Sequence, residues 1–214
     1  NTGYVKRQSL TSFKIQHRGG KGIKGMTTKE GDEIYLIQSA QTHDNLLFFT
    51  NKGKCYKLRV FEIQEGSRIS KGTAIVNLLN IEQGEIVESL INYGKGQEEK
   101  YVFLTTRKGT VKKTKLSEFD NIRKSGIIAI NLEKGDELAW SKLTSGSDDV
   151  LLATLNGKAI RFSEKSVRSM GRNTMGVRGI RIGEGDKVIG MDIIAANEKR
   201  DLLTIMENGL GKKT

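Results

Sequence analysis

The run Gln16-His17-Arg18-Gly19-Gly20-Lys21-Gly22 brings together groups that bind phosphate. An arginine grips two phosphate oxygens through its planar fork, and a lysine adds a mobile point charge. The glycines remove β-carbons that would hold a phosphate chain away from the backbone. They also admit positive φ, so successive N–H groups can converge on an anion. None of these groups reads a base edge, so the chemistry is phosphate recognition without sequence specificity. A glycine-rich connector between an opening strand and the next element would have the same spacing, and the residues alone leave both readings open. The literal G-x-G-x-x-G match from Gly20 to Gly25 fails on context. A dinucleotide fingerprint needs an apolar strand before it and a helix after it. Here the polar run Lys14 to Arg18 precedes, and Gly31 would break the first turn of a following helix.

Other chemistry is weakly supported. The closing GLGKKT lacks the upstream glycine of a phosphate-binding loop, and Cys55, His17 and His43 show no metal-ligand spacing. The acids Asp32, Glu33, Asp136, Glu137 and Asp186 recur in glycine turns, which argues for hairpin geometry over a single active site. Thirty-six Lys and Arg against 25 Asp and Glu give +11, which points to a polyanion: nucleic acid first, an acidic membrane surface second. No 18-residue apolar run and no secretory leader are visible, so no membrane partner is expected. With one cysteine no intrachain disulfide can form, and a reducing, cytoplasmic compartment is the simplest expectation. The chain opens in the middle of a motif, as expected of a piece of a longer protein.

The elements that position these residues repeat. LLFFTNKGKCYKL (46–58) is echoed by YVFLTTRKGTVKKTKL (101–116), VLLATLNGKAIRF (150–162) and LLTIMENGLGKKT (202–214). Their turn glycines Gly53, Gly109, Gly157 and Gly209 lie 56, 48 and 52 residues apart. A second set, Gly22, Gly72, Gly126 and Gly176, keeps step at 50, 54 and 50. With 25 glycines and no proline, the turns are glycine turns. Strands are expected over Leu46–Thr50 and Lys54–Leu58 about the turn Asn51-Lys52-Gly53. Another pair is expected over Ile127–Leu132 and Glu137–Leu143. Four short strands per period near 50 residues make an all-β, propeller-like ring. The repeats run approximately 1–45, 46–93, 94–145, 146–196 and a partial 197–214, within one domain.

Basic residues recur in register: Lys6 and Arg7; Lys54, Lys57 and Arg59; Lys112, Lys113 and Lys115; Lys158 and Arg161; Lys212 and Lys213. The loops between hairpins add Arg68 and Lys71, Arg123, then Arg172 and Arg178. A charge repeated once per blade becomes a band around the rim, a shape that bends a long polyanion. The echoes GSRISKG, DNIRKSG and GRNTMG at 66, 120 and 171 make Gln16 to Gly22 the strongest of several phosphate clamps.

QHRGGKG resembles the signature heptad of the DNA gyrase A C-terminal domain. GYVKR resembles that family's opening strand and GRNTMGVRGI its inter-blade loop, and the resemblance covers the whole chain. His17 stands where the family usually has Arg or Lys, and Ser9 where it often has Pro. The resemblance implies a β-pinwheel whose blades exchange strands and whose basic rim wraps duplex DNA, with the heptad needed for negative supercoiling. It implies six blades in the intact ring and no catalytic centre or cofactor in this segment. The cleaving tyrosine, the ATPase with its ATP and magnesium, and the partners lie in the remainder of the dimeric gyrase A polypeptide and in the gyrase B polypeptide. Two alternatives are the equivalent domain of topoisomerase IV, whose heptad is not intact, and a protein-interaction propeller with a basic face.

Overall fold

A computed structural model describes residues 3–28, 30–196 and 198–214; the repeat boundary at residue 1 therefore lies outside the described residues. The strands are β1 (Tyr4–Val5), β2 (Asn45–Thr50), β3 (Lys54–Arg59), β4 (Thr73–Ala74), β5 (Val87–Tyr93), β6 (Tyr101–Thr106), β7 (Thr110–Lys115), β8 (Ile127–Ile128), β9 (Leu138–Thr144), β10 (Asp149–Thr154), β11 (Ala159–Ser163), β12 (Val177–Arg178), β13 (Val188–Ile194), β14 (Leu203–Ile205) and β15 (Gly211–Lys213). The only helical pieces among the described residues are single 3-10 turns, as after β3, β7 and β11. The fold is all-β, as expected.

Each full blade is antiparallel, in the orders β5-β2-β3-β8 and β9-β6-β7-β12; a third sheet runs β13-β10-β11. The expected hairpin about Gly53 forms with Phe49 opposite Cys55 and a φ of +73° at the glycine. A register shift recurs just before each turn, at Phe49/Thr50, Thr105/Thr106 and Ala153/Thr154. The turn acids lock the hairpins. Asp136 Oδ1 accepts from the Lys108 and Glu137 N–H groups, and Asp186 Oδ1 accepts from those of Asn156 and Lys187.

The expected pairing of Ile127–Leu132 with Glu137–Leu143 does not occur. Ile127 and Ile128 pair with Cys55 and Lys54 of the preceding blade, whereas β9 pairs with β6. The same exchange joins β4 to β1 and β12 to β7. A sequence repeat is therefore not a sheet, because each repeat donates the outermost strand of the sheet before it. The two-residue donors are too short to form a hairpin with β9, and the edge of β3 offers unpaired donors and acceptors.

The central strands are apolar on both faces because the blades pack face to face. Leu47 and Phe49 join Val102 and Leu104 in one core, with Leu116, Phe119 and Leu138. Leu46 and Phe48 face the other way, toward Tyr56, Val60 and Ile75. Phe103 meets Val111, Val150 and Leu152 in a third core. Period-two alternation thus sorts a continuous apolar run into two inter-blade cores. Strands β5, β9 and β13 lie innermost and pack on one another; the donated strands and the turns leading into them lie at the outer edge.

Candidate nucleic-acid interface

The heptad forms a tight turn in an exposed stretch between β1 and β2 that joins no sheet. Gly20 N–H donates to the His17 carbonyl at 3.0 Å, with Arg18 and Gly19 at the corner. Gly19 and Gly22 have φ of +85° and +72°, and nothing lies within 4 Å of a β-carbon built on either. Their conformation, not crowding, is what favours glycine there. Gln16, His17, Arg18 and Lys21 are all exposed. The same turn recurs with Ser70 N–H donating to the Ser67 carbonyl, placing Arg68 and Ile69 where Arg18 and Gly19 stand. Arg172 and Asn173 hold that corner in the fourth copy, tied by Thr174 Oγ1 to the Gly171 carbonyl.

The basic residues divide into two groups. Arg68, Lys71, Lys115, Arg123, Lys158, Arg178 and Lys212 are exposed, with Lys71 Nζ 5.7 Å from the centre of the Tyr4 ring. Arg59 is exposed and donates to the His43 carbonyl. Several others face acids at the surface: Arg7 with Glu65, Lys54 with Glu82, Arg161 with Asp149 and Lys213 with Asp201. The exposed pairs of Arg161 and Lys213 contribute about 0–1 kcal/mol, so a phosphate can compete for those two cations, whereas Arg7 and Lys54 are half-buried.

Lys112 and Lys113 are corrections to the expected band. Lys112 is 0% exposed, and its Nζ donates to the carbonyls of Ala129, Arg172 and Thr174. Burial, aided by the Arg172 guanidinium and opposed by Glu118, pushes its ammonium down to about 8. Lys113 donates to the Glu164 carbonyl and lies over the Tyr101 ring, beside the buried Glu164 carboxylate. That carboxylate also accepts from Thr144 Oγ1 and from the N–H groups of Gly146 and Asp148. The alternation in TVKKTK resembles a half-solvated strand, but the neighbouring blade covers the second face. Lys57, half-buried, donates to the Asp120 carbonyl, and Lys6 donates to those of Ser67, Arg68 and Ser70. These lysines hold the fold. Conversely, Lys14, Lys24, Arg168 and Arg181 are exposed basic residues that repetition in register does not reveal, because they fall outside the repeated turn positions.

Among the described residues no group of three or more His, Cys, Asp or Glu is arranged for a metal. Cys55 is buried and its thiol is pushed well up by that burial. No helix is long and apolar enough to cross a membrane.

The family model described as "DNA gyrase C-terminal domain, beta-propeller" matches residues 1–34, 44–92, 100–145 and 148–195. The chain belongs to this gyrase C-terminal domain family. Among curated proteins it is similar to the DNA gyrase A polypeptide of Staphylococcus epidermidis, 41% identical over the whole chain, and to that of Staphylococcus aureus at 40–41%. The chain spans 24% of the length of these relatives. Among solved structures it is similar to a DNA gyrase A C-terminal domain, with TM-score 0.78 and 30% identity over 99% of this chain and 68% of the other. It is also similar to the C-terminal domain of DNA topoisomerase IV, with TM-score 0.80 and 30% identity over 99% of this chain and 64% of that one. The E. coli ParC C-terminal domain shares the fold, with TM-score 0.71 at 14% identity. Within this chain the donated strands β4, β8 and β12 each join the sheet of the repeat before their own.

Proposed function

We propose that this domain wraps duplex DNA around its outer edge without reading sequence, and so directs negative supercoiling by a gyrase. The observation that carries the reading is the exposed heptad turn, whose Arg18 and Lys21 flank positive-φ glycines. Arg68 and Arg172 occupy the same corner in two later repeats, with Ile122 at that position in the repeat between them. A curved row of such corners follows a sugar–phosphate backbone, and nothing in it presents a groove-reading helix or ribbon. The remainder of the gyrase A polypeptide, acting as a dimer, and the gyrase B polypeptide would supply cleavage and the ATP- and magnesium-dependent step. Similarity to the topoisomerase IV domain favours a second reading, binding and bending without a handed wrap. The intact heptad QHRGGKG weighs for the first.

The test is the salt dependence of affinity for a random-sequence duplex. The slope of log K against log salt falls by about 0.9 per neutralised phosphate, and several contacts are expected. Binding that is flat in salt, or restricted to one sequence, contradicts the proposal.

A further inference from the structure

Lys6 and Lys112 occupy the same place in their repeats, three residues after the turn glycines Gly3 and Gly109. Each reaches out of its own sheet to the turn that precedes the donated strand. Lys6 Nζ donates to the carbonyls of Ser67, Arg68 and Ser70 at 3.0, 2.8 and 2.9 Å. Lys112 Nζ donates to those of Arg172 and Thr174, the counterparts of Arg68 and Ser70, and to Ala129 at 2.8 Å. The approach is close because Gly72 lies against the Val5 carbonyl and Gly176 against that of Val111. An ammonium has three donors and no acceptor, so three converging carbonyls satisfy it without an anion.

The third copy is the internal control. Its turn has the half-buried Ile122 where the other two have arginine, four residues before the leading glycine. The residue three after its turn glycine Gly53 is Tyr56 in place of lysine, and the Tyr56 hydroxyl turns instead to the Asn80 carbonyl and Glu85. In the three turns that meet a preceding hairpin among the described residues, lysine beneath the turn accompanies arginine four before the leading glycine at Arg68 and Arg172, and both positions change together at Ile122, where Arg123 lies one residue further on.

We propose that Lys6 and Lys112 are positioning residues that touch no DNA: each clamps the backbone of the next blade's turn so that Arg68 or Arg172 is held toward the phosphate chain. The proposal rests on the DNA-wrapping reading. The lysines contribute to binding only through the arginine, because their ammonium groups are spent on carbonyls and Lys112 is fully buried.

The test is a pair of double-mutant cycles in this chain, Lys112→Met with Arg172→Ala and Lys6→Met with Arg68→Ala. Each is read by affinity for a labelled random-sequence duplex and by amide hydrogen exchange without DNA. Methionine keeps the stem and removes the donors. Each lysine variant is expected to weaken binding about as much as its arginine variant, with the double variant within about twofold of either single one. Amides of residues 171–176 or 67–72 should exchange faster while those of β10 and β2 do not. Multiplying losses in the double variant would mean the lysine meets phosphate itself and would overturn the proposal, as would unchanged exchange in the turns. Because Lys6 is only half-buried, its cycle remains readable where Lys112→Met unfolds. If the unaltered chain binds no duplex, the wrapping reading fails, and the exchange contrast alone upholds or overturns the clamp.

Discussion

A reconstituted enzyme with alanine at Gln16 through Gly22 is expected to lose negative supercoiling, by roughly tenfold or more in rate, while still relaxing and cleaving DNA. The substitution removes two cations, Arg18 and Lys21, and the donor Gln16. It also places β-carbons at Gly19 and Gly22, whose φ of +85° and +72° cost an L-residue roughly 1–2 kcal/mol each. The turn would relax toward negative φ and lose its present path. Overall DNA affinity should fall much less, because Arg68, Lys115, Arg123, Lys158 and Arg178 remain exposed elsewhere on the surface. Blade cores are untouched, since every residue from Thr11 to Gly22 is exposed. Supercoiling assays beside relaxation and cleavage assays decide it. Retained supercoiling would remove the heptad from the mechanism, and loss of all three activities would indicate damage beyond the turn.

Gly176→Ala should be among the most destabilising single changes in the chain. Its φ is +98°, and a β-carbon there would lie 2.5 Å from the Val111 carbonyl and 3.1 Å from Thr110 Cγ2. A backbone carbonyl inside the ladder of β12 with β7 cannot move aside without breaking the exchange. Left-handed strain of roughly 1–2 kcal/mol is joined by an overpacking cost of roughly 1–3 kcal/mol. Gly72, against the Val5 carbonyl at 2.5 Å, should behave alike. Gly157 has φ +78° with nothing within 4 Å, so Gly157→Ala should show the strain alone. Urea unfolding midpoints of the two variants separate the contributions. Equal losses would mean that the exchange junction is not tightly packed.

What was legible in the sequence was local. The hairpin Leu46–Thr50 with Lys54–Leu58 formed within one residue at either end, because an apolar run, a glycine turn and an alternating run are all encoded between neighbours. The partner of Ile127 was not legible. A two-residue strand carries no periodicity, and the edge it joins, at Lys54 and Cys55, lies a full repeat away. The roles of the lysines failed for the same reason. Lys112 and Lys115 look alike in TVKKTK, yet one ends among carbonyls of Ala129, Arg172 and Thr174 and the other at the surface. A charge repeated in register identifies equivalent positions; only the packing of the next blade says whether such a position is wet. The positive φ of Gly19 and Gly22 was legible because the need for glycine there is encoded within seven consecutive residues.

Trapped linking number tests the wrapping claim most directly. Nicked plasmid is ligated with the domain bound, then freed of protein, and its topoisomers are resolved. A shift toward positive linking number that grows with bound domain is the predicted result. Salt-sensitive binding with no shift would contradict a handed wrap and point to bending of the topoisomerase IV kind.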